Sequence, residues 1–289
     1  MNAVAGLPDL DHPLVDELAP PEVVLRRRPG SAWRWIAIMP GAVVAVLAVI
    51  GSWLPHRDPG AVLAAPYTGP GHGLLLGTDG AGRDVVAQVL CGGRALVLIP
   101  VAATLATTGL GCALGVLGAY CGGRLDRALA AVEGGLIALP PILVLLTLLT
   151  GWGYSAWSLI LAVVLTGVSV VSRVARAAAV GVRQEGFVDQ AAALGDSPLT
   201  VMAREIVPNI ASPLLADAGT RLAVAITLTA SAGFLGFGPD TPNWGAMVSS
   251  NVEGISLSPW GVLIPAVFLA ALTIAANLLL DQLAARLHR

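Results

Sequence analysis

Lysine is absent from the 289 residues: all 16 basic residues are arginine, and against 18 acids they leave a formal charge of -2. That balance points to neither a nucleic-acid partner nor a strongly acidic one. Charge of either sign is scarce, at 12% of residues. The chain is instead 56% hydrophobic, above the roughly 45–50% of soluble domains, which places it in a bilayer. Cys91, Cys112 and Cys121 are odd in number and match neither a disulfide framework nor a zinc spacing, so they read as small apolar fillers. His12, His56, His72 and His288 are scattered, without visible partners for a metal. There is no H-E-x-x-H and no G-x-S-x-G, and the apolar runs hold almost no ionisable groups. A membrane-embedded enzyme, the alternative from a different class, needs such groups within its spans. Gly77 and Gly82 are followed by Arg83 and Asp84 rather than the Lys-Ser/Thr of a phosphate loop, so no nucleotide cradle is present.

What is present is a series of long apolar runs. A spanning helix needs about 20 mostly apolar residues, because its backbone must satisfy its own hydrogen bonds in hydrocarbon. Six segments qualify: about 35–54, 95–119, two spans within 134–172 separated by a turn at "GWGY", 212–237 and 260–280. Asp217 and Arg221 lie near the start of the fifth, four residues apart and able to pair. Trp33, Trp35, Trp152, Trp157 and Trp260 fall near span ends, as an interfacial belt would place them. Gly111, Gly115, Gly118 and Gly122 give the second span two GxxxG spacings, which serve close helix packing within one chain or between chains. No internal repeat is visible, which counts against a self-contained carrier built of two inverted halves.

Arginine position sets the expected orientation. With the N-terminus in the cytosol, only Arg57, Arg83 and Arg94 lie outside. Arg26, Arg27, Arg28, Arg34, Arg124, Arg127, Arg173, Arg176, Arg183, Arg204, Arg221, Arg286 and Arg289 lie inside, so both termini are expected to be cytosolic. Residues 1–31, acidic before they are basic, lack the order of a secretory signal and read as a cytosolic tail.

One polar stretch interrupts the apolar pattern between the fourth and fifth spans: "FVDQAAALGDSPLTVMAREIVPN", residues 187–209. Phe187, Ala191 and Leu194 recur at i, i+4 and i+7, with Val188 and Ala192 beside them, predicting a short helix with an apolar ridge. Gly195 suits a left-handed C-terminal turn, Asp196 or Ser197 caps a second helix, Pro198 fits its first turn and Pro208 is expected to stop it. The ridge could lie on lipid or dock into a protein groove. Glu185, Asp189, Asp196 and Glu205 against Arg183 and Arg204 fit anionic lipid poorly, which favours the groove.

The stretch "DQAAALG" followed by "IVPN" resembles the EAA loop of ABC importer permeases, with Asp189 where the usual glutamate stands, Gln190 for the first alanine, and Ala191, Gly195, Pro208 and Asn209 matching. "HGLLLGTDGAGRDVVAQVLCGGRALVLI", from His72 to Ile99, resembles the H-x-L-G-T-D-x-x-G-R-D-V signature of the C-type permeases of dipeptide, oligopeptide and nickel importers, with two extra residues after His72. From the residues alone, Thr78 or Asp79 can cap a short helix there, with Val85, Val86, Val89 and Leu90 on its apolar side. "GAYCGGRLDR", "SRVARA", "GFLGFG" and "NWG" follow in the family's order, while the ending "LLLDQLAARLHR" departs from its usual glycine, arginine and D-P.

The resemblance implies an all-α membrane protein of six transmembrane helices with a cytosolic coupling-helix hairpin, the type I ABC importer permease fold. Its parts are a tail over 1–31, the first helix and start of an outer loop over 32–69, a permease domain over 70–282 and a cytosolic end over 283–289. It further implies a subunit of an ATP-driven importer in the cytoplasmic membrane, carrying short peptides, with nickel or another small solute as the runner-up. No cofactor is expected on this chain; ATP and Mg belong to a partner ATPase. Expected partners are a second homologous permease, one or two ATPase subunits, an extracytoplasmic substrate-binding protein and membrane lipid. Phe187, Val188, Asp189, Gln190, Ala191, Leu194, Gly195 and Asp196 are the residues expected to meet the ATPase.

Overall fold

The computed structural model describes residues 31–54, 57–71, 73–238 and 241–287. The tail expected over 1–31 therefore lies, apart from Ser31, outside the described residues, as do all four histidines.

Helices make up the framework: α1 (Ser31–Ile50), α2 (Val85–Cys91), α3 (Arg94–Cys121), α4 (Gly123–Ile137), α5 (Pro141–Trp152), α6 (Ala156–Arg183), α7 (Gly186–Ala193), α8 (Pro198–Val201), α9 (Val207–Asn209), α10 (Ala211–Phe234), α11 (Trp244–Asn251) and α12 (Trp260–Leu287). β pairing among the described residues is limited to isolated bridges in the loop before α2 and at its start. Four helical segments, ending at Cys121, Arg183, Phe234 and Arg286, are long and apolar enough to cross a membrane. The expected first span falls on α1 and the 3-10 turn after it, where the apolar stretch among the described residues, Ile38–Trp53, is shorter.

The expected third span differs from its sequence reading. The run from Gly134 does not begin a helix; it finishes α4, which starts at Gly123, and α5 follows at an 80° bend. Two consecutive prolines cause the break. Pro140 is extended (ψ 126°), and Pro141 opens α5, where its missing N–H costs nothing. The 12 residues of α5 reach only about 18 Å at 1.5 Å each, short of the roughly 30 Å hydrocarbon core. A fifth crossing therefore exists only if the bent pair is taken together. The turn at "GWGY" forms as expected: Gly153 leaves α5 with φ +75°, and the Ser155 hydroxyl accepts from Ser158 N–H at 3.1 Å to cap α6.

The core runs the length of α3 in three clusters. At one end Leu96 packs with Val44, Val85, Val89, Ile226, Trp244 and Leu272. Mid-helix, Ala103 meets Leu145, Leu149, Leu159 and Leu228. At the other end Val116 and Ala119 pack with Val171, Ala175, Met202 and Ile206. The two ends are about 42 Å apart at 1.5 Å per residue over the 28 residues of α3. The glycine stripe of α3 is used inside the chain. A Cβ on Gly115 would collide with the Ser172 carbonyl, and one on Gly111 would press on Val171, so the pair brings α6 backbone to backbone with α3.

Candidate functional site

The polar interruption folds as a helical hairpin at the Cys121 end of α3. α7 closes on a Schellman turn: Asp196 N–H donates to Ala191 O at 3.2 Å and Gly195 N–H to Ala192 O at 3.1 Å, with Gly195 at φ +97°. Of the two expected caps, Ser197 is the one used; its hydroxyl accepts from Thr200 N–H at 3.3 Å, and Pro198 occupies the first turn of α8.

Pro208 does not stop the second helix. The chain widens into a π segment over Met202–Ile206, passes Pro208 in the first turn of α9, and breaks only at Ile210 before α10 begins. A proline ring clashes with the carbonyl four residues back and donates nothing to it; one wide turn relieves both problems. Asn209 Nδ2 donates to Glu205 O at 2.6 Å across this turn.

The hairpin buries one side. Val188 is 3% exposed and Val201 and Ile206 are fully buried, so Val188 anchors α7 to its own chain instead of lying on the outer ridge. Phe187 (39%), Leu194 (82%) and Leu199 (75%) stand in the open with Asp189, Gln190, Gly195 and Asp196, while Ala191 is half-buried. Leu199 belongs to this surface although the α7 periodicity could not include it; it sits across the Gly195 turn. Asp189 forms no ion pair with any described residue.

Behind the hairpin is a charge cluster that reading single segments missed. Arg176 on α6 pairs with Glu133 of α4 at 2.7 Å and lies 3.0 Å from Asp126, an approach poorly aligned for a hydrogen bond. Ser172 Oγ donates to the same Glu133 oxygen at 2.5 Å. Glu133 is 4% exposed, deep for a carboxylate unless paired. The cluster ties α4 to α6, and α6 runs straight into the hairpin. Seven residues later Arg183 donates to Ala119 O at 2.8 Å and lies over the Tyr120 ring. The signal available in sequence was an acid seven residues after Asp126, on one face of α4. The expected Asp217–Arg221 pair also forms, at 3.6 Å.

At the far end of α3, the TDGAGRD stretch is a built cap. The Asp79 carboxylate accepts from Ala81 N–H (2.9 Å), Arg83 N–H (2.8 Å), Arg83 Nε (2.8 Å) and Gln88 Nε2 (3.3 Å). Asp84, not Thr78 or Asp79, caps α2, accepting from Val86 N–H at 2.9 Å. Thr78 is instead pinned to the preceding loop, donating to Ala65 O at 2.7 Å and accepting from Thr68 N–H at 2.9 Å. The NWG tripeptide docks here too. Asn243 caps α11 through Gly245 N–H, Trp244 is fully buried and donates Nε1–H to Val89 O at 2.7 Å, and Asn251 accepts from Gly80 N–H at 2.8 Å.

This arrangement of bundle, exposed hairpin and capped end has counterparts. Over residues 107–289 the chain matches the profile of the inner membrane component of binding-protein-dependent transport systems. The chain belongs to that family. It is 30% identical over 244 residues, 83% of this chain and 82% of the relative, to a protein of Brucella suis provisionally designated a peptide transport system permease. It is 31% identical over 218 residues, 74% of this chain and 75% of the relative, to the oligopeptide transport system permease protein OppC of Mycobacterium tuberculosis. In fold it matches a chain of the methionine ABC transporter MetNI in an inward-facing conformation, with TM-score 0.58 and 16% identity, over 70% of this permease and 97% of that chain. The permease is thus a multi-pass, all-α membrane protein with an ABC importer permease fold.

Proposed function

We propose that this permease is one of two related subunits forming the pathway of an ATP-driven importer of short peptides in the cytoplasmic membrane. Two cytosolic ATPase domains, on one chain or two, bind Mg-ATP and receive the α7 hairpin in a cleft, and an extracytoplasmic binding protein delivers the substrate. The arginine asymmetry supports a cytosolic hairpin and cytosolic termini, with the Asp79 cap outside. The peptide assignment is supported by the names of the relatives at about 30% identity.

The observation that carries the reading is the hairpin surface. Phe187, Leu194 and Leu199 expose apolar area around Asp189, which has no ion-pair partner among the described residues, on a hairpin anchored to its own chain through Val188 and closed by the Schellman turn. Helix-in-groove docking uses such apolar anchors with a charged neighbour to set register. When ATP closes the ATPase domains, a hairpin fixed to α6 transmits that movement to α6, and through Arg176 to α4. The test is the Asp189→Arg variant in the assembled transporter. The expected outcome is normal membrane insertion with loss of ATPase co-purification or of substrate-stimulated hydrolysis. Parental assembly and uptake in that variant would refute the docking role.

A further inference from the structure

The TDGAGRD stretch and the NWG tripeptide meet around a polar pocket of about 180 Å³ at the end of the bundle away from the hairpin, lined by Arg83, Gln88, Thr241, Asn243, Met247 and Ser250 among others. Its polar groups divide into used and unused. Ser250 Oγ donates to Met247 O at 3.3 Å, and Gln88 Nε2 to Pro59 O at 3.0 Å. Arg83 bonds Asp79 through Nε alone, which fixes the guanidinium and leaves its two terminal nitrogens without a side-chain partner among the described residues. Asn243, 1% exposed, uses its Oδ1 to cap α11, and its Nδ2 has no hydrogen-bond partner. The neighbouring Tyr154 hydroxyl completes no bond with it either.

The Arg83 terminal nitrogens and Asn243 Nδ2 are therefore donors open to an acceptor. A donor left without an acceptor costs free energy that an incoming acceptor recovers, so the fitting occupant is an acceptor with no proton of its own. A guanidinium fork matches a carboxylate in both geometry and charge. The charges of Arg57, Arg83, Asp79 and Asp84 cancel, so recognition is by the directed fork and not by a long-range field. The volume is below the roughly 300–1,000 Å³ of a site that encloses a whole ligand, so the pocket takes one end of one.

We propose that this pocket receives the free C-terminal carboxylate of an incoming peptide, through Arg83 and Asn243. The inference rests on the peptide-importer reading and on the outward placement of the Asp79 cap. The assembled, reconstituted transporter is treated with phenylglyoxal, and modification of Arg83 is followed by mass spectrometry with Arg57 and Arg94 as internal references. Tri-alanine at millimolar concentration is expected to slow modification of Arg83 alone, and tri-alanine amide is not. Equal protection by both peptides, or protection by neither, overturns the proposal.

Two variants add a carboxylate without removing the fork: Thr241→Asp at the exposed rim, and Asn243→Asp, which keeps an oxygen to cap α11. Both should raise KM for tri-alanine roughly tenfold, the equivalent of about 1.4 kcal/mol, with kcat held and the amide unaffected. An equal change for both peptides would show a structural disturbance and sink the idea. Arg83 protection without any peptide uptake by the parent leaves the carboxylate pocket standing and removes the peptide-import reading; uptake without protection does the reverse.

Discussion

The two ends of α3 carry the molecule's polar motifs, and they use them in opposite ways. At the Arg94 end, Thr78 (1% exposed), Asp79 (3%), Asn243 (1%) and Asn251 (2%) are turned inward and bonded to backbone. At the Cys121 end, Asp189, Gln190 and Asp196 point outward around Leu194. Both look alike in sequence, as short polar interruptions of an apolar chain. The difference lies in whether a segment's polar groups find partners within the chain: Asp79 accepts four hydrogen bonds, whereas Asp189 has no ion-pair partner among the described residues. The capped end should therefore respond to mutation through stability, and the hairpin through assembly.

The largest expected effect is at Trp244. It is fully buried, donates to Val89 O and meets Phe268 edge-on at 5.4 Å between ring centroids. Trp244→Ala should destabilise the permease by about 4 kcal/mol, seen as loss of monodisperse protein after detergent extraction. Wild-type extraction and melting by this variant would break the comparison at its strongest point. Next is Asp79→Ala, which strips the acceptor from two backbone N–H groups, Arg83 and Gln88; about 3 kcal/mol is expected. Asp79→Asn keeps one amide oxygen and should lose less, so a thermal scan that ranks the two variants the other way would show that the cap is not held by this carboxylate.

Gly195 is intermediate because it belongs to the hairpin and yet acts through the backbone. A Cβ there meets nothing within 4 Å, so the cost of substitution is the left-handed φ of +97° alone. Gly195→Val should cost on the order of 1–2 kcal/mol, and Gly195→Asn less, since asparagine tolerates φ above zero. Equal melting temperatures for the valine and asparagine variants would mean that the Schellman turn rearranges without penalty.

How far sequence reached depended on the range of the interaction. The Gly195 turn, the Ser197 cap and the Asp217–Arg221 pair are settled by residues within five positions of each other, and their local chemistry is readable. The Pro140–Pro141 bend was readable by the same rules, but the absence of charge after Gly134 dominated the reading and hid it. Arg176 and Glu133 are 43 positions apart; no periodicity joins them, and they meet only through the tertiary packing of α4 against α6, beside the close α3–α6 approach at Gly111 and Gly115. The assignment of the α2 cap failed for a related reason. Thr78, Asp79 and Asp84 are all competent caps by residue type, but α2 begins at Val85, so Asp84 alone stands at the cap position, while Thr78 and Asp79 bond Ala65 and Arg83.

The smallest stability effect belongs to Leu194, and it tests the comparison most sharply. At 82% exposure Leu194 contributes little burial within the permease, so Leu194→Ser should shift its melting by less than about 0.5 kcal/mol. In a groove the same side chain would be covered, and losing a fully buried leucine there is worth about 1.5–3 kcal/mol, or roughly tenfold to a hundredfold in affinity. Titrating the purified ATPase onto reconstituted permease reads that difference directly. A variant that melts with the parent but binds the ATPase tenfold or more weakly places Leu194 in the interface. If binding is unchanged and partition of the hairpin into lipid falls instead, the ridge lies on the membrane, the alternative that the acidic surround of Glu185, Asp189 and Asp196 disfavours. If neither moves, Leu194 lies outside any docking surface and the apolar ridge of α7 is not the contact.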